Sequence, residues 1–173
     1  MKWSARRSSR GFTLIELMMS VAIVGLLSSV ALPEFSRATL RARAAERGTI
    51  MKAIIRAVDD TVTQQQGVVG GAWVGAANPP GAPGNMKRKF DWTQPGWAQL
   101  PLFVEGDAYY SYSFDAEDPT GDGQNVTLVV TGDGDLDGDG VHSLRTDAFV
   151  GVGYSFSADP DPTHWIHEDL QTF

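Results

Sequence analysis

From Phe12 to Leu32 the chain runs for 21 residues with a single charged side chain, Glu16. No other stretch restricts the fold so sharply. About 20 apolar residues wound as one helix suffice to cross the hydrocarbon of a bilayer. Lys2, Arg6, Arg7 and Arg10 stand ahead of the run, and cations on that side hold the amino-terminal end in the cytoplasm while the remainder is sent outward. A secretory signal would have a shorter apolar core followed by a small-residue cleavage site. Here the run is followed by Pro33-Glu34-Phe35-Ser36-Arg37, so a lasting single span is the expectation.

Glu16 is the anomaly. A carboxylate inside a membrane helix is costly and calls for a partner. One partner is made by processing. A cut after Gly11 frees the α-amine of Phe12, and Glu16 of one subunit can then meet that amine in a neighbour, in an assembled bundle. These residues together resemble the type IV pilin and pseudopilin prepilins. The match consists of a short basic leader ending in Gly11, the aromatic Phe12, and then Thr13-Leu14-Ile15-Glu16-Leu17. Gly25 and Pro33 stand where that family places a helix-loosening glycine and a kinking proline.

The resemblance covers the first third of the chain and implies a good deal. A membrane prepilin peptidase would cut between Gly11 and Phe12 and methylate the new amine on Phe12. The fold would be α+β and pilin-like, a long kinked amino-terminal helix packed on a small antiparallel β-sheet. Glu16, Gly25 and Pro33 would serve assembly. The partners would be identical or related pilin subunits and an inner-membrane assembly platform. Before assembly the chain would lie in the bacterial inner membrane, single-pass with its amino terminus cytoplasmic. Afterwards it would lie in an extracellular filament serving adhesion or surface motility.

The remaining residues divide by composition. Residues 1–11 read as the cleaved leader and 12–33 as the transmembrane and filament-core helix. Residues 34–66 read as an amphipathic continuation, with Leu40, Ala44, Met51, Ile54, Ile55 and Val58 recurring at helical spacing on one face. Arg37, Arg41, Arg43, Arg47, Lys52 and Arg56 are expected on the rest of its surface. They read either as a stripe meeting acidic neighbours or lipid head groups, or as an ordinary solvated face. Residues 67–107 form a Gly/Pro/Trp-rich connecting loop, in which Trp73, Trp92 and Trp97 are expected to anchor into the core. Residues 108–173 carry alternating runs at 108–114, 125–130 and 147–156, expected as three or more antiparallel strands with an irregular tail.

Charge is strongly polarised. Residues 1–89 carry 13 basic and 5 acidic side chains, whereas residues 90–173 carry 1 and 16. Such an outer domain offers phosphates no basic groove, which excludes nucleic acid as a partner. Within it, Asp135, Asp137, Asp139 and Gly140 satisfy the first half of a calcium loop, where alternate carboxylates converge and glycine allows the turn. Asp133 is a further candidate and Asp147 the candidate closing ligand, one residue past the ideal position. The alternative is a plain Asp/Gly hairpin turn. The chain has no cysteine, hence no disulfide of the kind many pilins carry, and no thiol nucleophile. His142, His164 and His167 are scattered without a serine or carboxylate motif, so no enzyme activity is expected. Other readings are a minor pilin, a type II secretion pseudopilin, or a calcium-binding surface protein anchored by one span.

Overall fold

The computed structural model describes residues 11–65, 68, 71–121, 125–152 and 155–159. The leader up to Arg10, and the tail with Trp165, Phe173, His164, His167, Glu168 and Asp169, lie outside the described residues. One helix, α1, spans Leu14–Gln65 without interruption and contains Pro33. The sheet follows as β1 (Ala72–Asn78), β2 (Ser111–Glu117), β3 (Thr127–Gly134), β4 (Ser143–Val152) and β5 (Ser155–Ala158). All neighbours are antiparallel, in the order β1-β2-β3-β4-β5. This is the α+β, pilin-like arrangement that the resemblance implies.

The chain separates into two compact units, divided between Thr39 and Leu40. In the described part of the first, residues 11–39, every large apolar side chain from Phe12 to Phe35 is 57–77% exposed. The helix there satisfies its own polar groups. Ser20 Oγ donates to the Glu16 carbonyl at 2.7 Å, Ser29 Oγ to Leu26 at 2.7 Å, and Thr39 Oγ1 to Phe35 at 2.9 Å. Closing these three hydroxyls onto the preceding turn lowers the cost of placing them in an apolar surrounding.

The second unit has its own core. Along α1, Ile50, Met51, Ile54, Ala57, Val58 and Val62 are buried, with Leu40, Ala44 and Ile55 packed at the edge. The three- and four-residue steps that define this face are those of a helix lying on a sheet. Facing it, Tyr112, Phe114 and Ala116 of β2 and Leu128 and Val130 of β3 alternate with more exposed residues, as the period-2 pleat requires. Gly132 lets the helix approach. A Cβ there would lie 3.0 Å from Arg47 Cγ and 3.2 Å from Met51 Sδ.

Arg47 departs from its expected exposed position. It is 6% exposed, its stem passing over Gly132. Its guanidinium donates to Ser143 Oγ at 2.8 Å and lies 5.0 Å from the centre of the Tyr110 ring. A long cationic side chain can be buried when its stem packs and its head is paired.

The strands also differ from the sequence pattern. β1 falls inside the stretch read as a connecting loop. Its Gly/Ala-rich text carries little β-propensity, and it forms because the edge of β2 pairs with it from Ala72↔Glu117 to Asn78↔Tyr112. The run at 147–156 divides into β4 and β5, which pair antiparallel from Phe149↔Ala158 to Val152↔Ser155. β4 starts early, at Ser143, because pairing with β3 continues to Gly134↔Ser143.

The connection is held by side chains. Trp97 is buried, donates from Nε1 to the Ala76 carbonyl at 2.6 Å, and meets Phe114 edge-on at 5.3 Å. Trp73 Nε1 donates to Gly96 at 3.1 Å, and Trp92 stacks on Phe90 at 5.1 Å. Arg88 gathers the loop after β1. Its Nη1 donates to the carbonyls of Pro80 and Gly81 at 3.1 and 2.9 Å, and its Nη2 to Ser111 Oγ at 2.6 Å. Burial lowers the Arg88 pKa, an effect opposed by the charge of Asp133. At the far end, Asp118 accepts from the Gly121 amide at 2.8 Å and the Val68 amide at 3.4 Å.

Candidate functional site

The start of α1 is built from Thr13 and Glu16. Thr13 immediately precedes the first helical residue, Leu14. Its hydroxyl accepts from the Glu16 amide at 3.3 Å, while Glu16 Oε2 accepts from the Thr13 amide at 3.3 Å and the Thr13 hydroxyl at 3.1 Å. This is a reciprocal capping box, in which two otherwise orphaned amides of the first turn are satisfied. A negative charge in the first turn also opposes the positive end of the helix dipole. Within the subunit, therefore, Glu16 has a partner already. The carboxylate is folded back toward the helix start, next to exposed Phe12 and Gly11. In the sequence Thr13 stands only as part of the matched run, and its capping role is legible in its spacing to Glu16, the S/T-x-x-E signature.

The other two assembly candidates touch little. A Cβ placed on Gly25 would meet nothing within 4 Å, so among the described residues no contact requires the glycine. Pro33 lies inside an unbroken helix, where it removes one backbone donor. The helix has the length and apolarity to cross a membrane, with mean hydropathy 2.1 over its most apolar window and none of that window buried.

The second candidate site is the loop after β3. Asp135, Asp137 and Asp139 bring one carboxylate oxygen each to within 4.8 Å of one another. Asp135 is the buried member and organises the turn. Its Oδ1 accepts from the Gly138 amide at 2.7 Å and its Oδ2 from the Gly140 amide at 3.2 Å. Gly138 and Gly140 take positive φ of 78° and 84°, a conformation glycine adopts without a Cβ penalty. Asp137 and Asp139 are exposed.

The remaining two candidate ligands lie elsewhere. Asp133 belongs to β3, and its Oδ2 pairs with His142 Nδ1 at 3.1 Å. Asp147 is buried in β4, held by two bonds of 2.9 Å from Arg145. A calcium ion takes six to eight oxygens, about 2.3–2.6 Å away. The loop offers three carboxylates toward that number, without the closing acid expected from Asp147.

Comparison with known proteins places the resemblance at the amino terminus. The pattern described as the prokaryotic N-terminal methylation motif matches residues 6–32. The type IV major pilin protein PilA of Myxococcus xanthus is 47% identical over 49 residues, 28% of this chain and 22% of its own length. A fimbrial protein of Pseudomonas aeruginosa is 32% identical over 66 residues, covering 38% of this chain and 43% of that protein. The type IV major pilin protein PilE1 of Neisseria gonorrhoeae is 57% identical over 37 residues, 21% and 22% of the two chains. In each case the aligned part is less than half of the relative's length. No solved structure matches the chain.

Proposed function

With its amino-terminal segment the chain belongs to the type IV pilin family, and on that premise we propose that it is a structural subunit of a type IV pilus-like filament. The observation that carries the reading is the first unit. It is a helix whose large apolar side chains are all exposed, with one carboxylate placed at its start. Large apolar side chains left in water each forgo roughly 1.5–3 kcal/mol. Such a helix needs lipid or other helices around it.

The proposed sequence of events follows from these needs. The subunit is held in the inner membrane by its apolar helix, amino terminus inside. A prepilin peptidase cuts between Gly11 and Phe12 and methylates the Phe12 amine. An assembly platform then moves the helix from lipid into a bundle of its copies. Lipid tails and a helical bundle are similarly apolar, so the net transfer term is small and polar contacts choose the arrangement. In the free subunit Glu16 is satisfied by Thr13. In the filament it gains the ammonium of a neighbour's Phe12, which sets the register between subunits. Gly25 and Pro33 loosen the helix where subunits crowd. Adhesion and surface motility are the roles this reading assigns to the fibre.

A second element of the proposal is calcium at Asp135, Asp137 and Asp139, favoured by their convergence within 4.8 Å. When bound it would neutralise three mutually repelling carboxylates and stiffen the loop. Isothermal titration of the purified chain with calcium tests it, and no heat at millimolar calcium would remove it.

Mass spectrometry of filaments sheared from intact cells tests the main reading. The expected result is that the chain is abundant and begins with methylated Phe12. A cleaved and methylated but scarce chain would point to a minor pilin or a pseudopilin. Residues 1–11 still attached in the mature protein would instead mark a single-span anchored surface protein.

A further inference from the structure

Two surfaces of the second unit carry charge that the subunit leaves unneutralised. The first is the face of α1 turned away from the sheet. Arg41, Lys52 and Arg56 are exposed there, and among the described residues none of the three lies within ion-pair distance of a carboxylate. Steps of 11 and 4 residues keep them within an arc of about 60° along roughly 22 Å of helix. Ala42, Ala45 and Thr49 are the exposed residues between them, small enough for another surface to come close to the backbone.

The second surface is the loop after β3. The amides of Gly138 and Gly140 hold Asp135 inward, and the turn so formed presents Asp137 and Asp139 to solvent. With carboxylate oxygens converging within 4.8 Å, these acids raise one another's energy until a cation arrives. Among the described residues no basic side chain pairs with either.

We propose that these surfaces meet between copies, the Asp137–Asp139 loop of one subunit docking on the Arg41–Lys52–Arg56 face of the next. The inference rests on the filament reading, names the contact that reading leaves unspecified, and takes the loop free of calcium, since an ion held by Asp137 and Asp139 would cancel the charge that docks. Charge complementarity selects a second copy as the occupant. Each copy carries both halves, on different surfaces, so the contact is head-to-tail, and a head-to-tail contact that does not close generates a helical filament. The outer region, with 16 acids against 1 base over residues 90–173, would otherwise make neighbouring copies repel. Placing its most acidic loop on the helix converts part of that repulsion into attraction and fixes which lateral arrangement is allowed.

The test is a charge swap in the full-length chain, with sheared filament as the readout. K52E/R56E and D137K/D139K are each expected to lower filament yield about tenfold, since like charges then face each other. Their combination in one chain is expected to restore yield to within about threefold, because coupled positions are not additive. Failure of the combined variant to restore, with each half lost separately, would overturn the pairing. The absence of native cysteine permits a second test that leaves most of the charge intact. Subunits carrying R56C and subunits carrying D139C, co-expressed, are expected to form mixed disulfide dimers in filaments and none when either is expressed alone. Normal filaments without mixed dimers would also overturn the pairing. A wild-type chain absent from sheared filaments would instead remove the filament reading, and this proposal with it.

Discussion

The helix before Thr39 and the unit after Leu40 solve opposite problems with the same element. In residues 14–39 α1 presents apolar side chains on every side and buries none of them. From Leu40 to Gln65 the same helix shows one buried face and one polar face. The second part closes its core within one chain, around Met51, Ile54, Tyr112, Phe114 and Trp97. The first part is stable only in a surrounding that the chain does not itself supply. Uniform apolarity specifies an environment, whereas an amphipathic face specifies a partner.

That contrast can be broken most directly at Glu16. Glu16→Ala removes both the capping box and the charge, and the expected result is normal membrane insertion with filaments lost from sheared preparations. Glu16→Gln separates the two roles, because an amide retains the cap but brings no charge to an ammonium. Filaments from the glutamine variant at wild-type yield would show that the cap alone matters. In the second unit the largest effect is expected from Trp97→Ala, which empties a site enclosed by Phe90, Phe114 and Trp92. A loss of about 3–5 kcal/mol in denaturant unfolding of the detergent-solubilised chain is expected. A loss under ~1 kcal/mol would mean that the connection is not part of the core.

A smaller effect comes with pH. Burial, then the charge of Glu46, pushes the Tyr112 phenol well above its ordinary range. The folded state therefore keeps the proton that the unfolded state releases near pH ~10. The associated stability is complete below that pH and declines as pH rises beyond it. Thermal melts between pH 8 and 11 (roughly one unit or more on either side of the free phenol pKa) should show the decline, and Tyr112→Phe should flatten it. Among the described residues the Tyr112 hydroxyl has no hydrogen-bond partner, so the phenylalanine variant should match or exceed the parent below pH ~9. The smallest effect is expected in the first unit. Leu27, 61% exposed, has no core to leave, and Leu27→Ala should alter unfolding of the solubilised chain by less than ~0.5 kcal/mol. A cost near that of Trp97→Ala would show that the first unit packs on something within the monomer.

Much of this plan was legible in the sequence, for reasons that differ by residue. The membrane-length helix and the methylation-motif stretch containing Glu16 are local text, readable without knowing what lies nearby. The core face through Met51, Ile54 and Val58 follows from period alone. Arg47 was misplaced because its charge outweighed its position, although it falls three residues before Ile50 and four before Met51 on the buried side. β1 was missed because its residues, Ala72 to Asn78, favour a strand only once β2 offers them an edge. The five aspartates expected at one loop were separated by the sheet. Strand pairing set Asp133 beside His142, while Asp147 pairs with Arg145 two residues away on its own strand β4, leaving Asp135, Asp137 and Asp139 together.

Sequence by itself determined which part of the helix is long and apolar enough to cross a membrane, and which helical face turns inward. These properties depend on composition and on the 3.6-residue period, both carried by neighbours in the chain. Tertiary structure alone decided which charges are spent inside the subunit and which remain for another. An ion pair such as Lys87 with Glu46 depends on distances of a few ångströms across elements. Strand register and helix packing set those distances, and no local pattern encodes them.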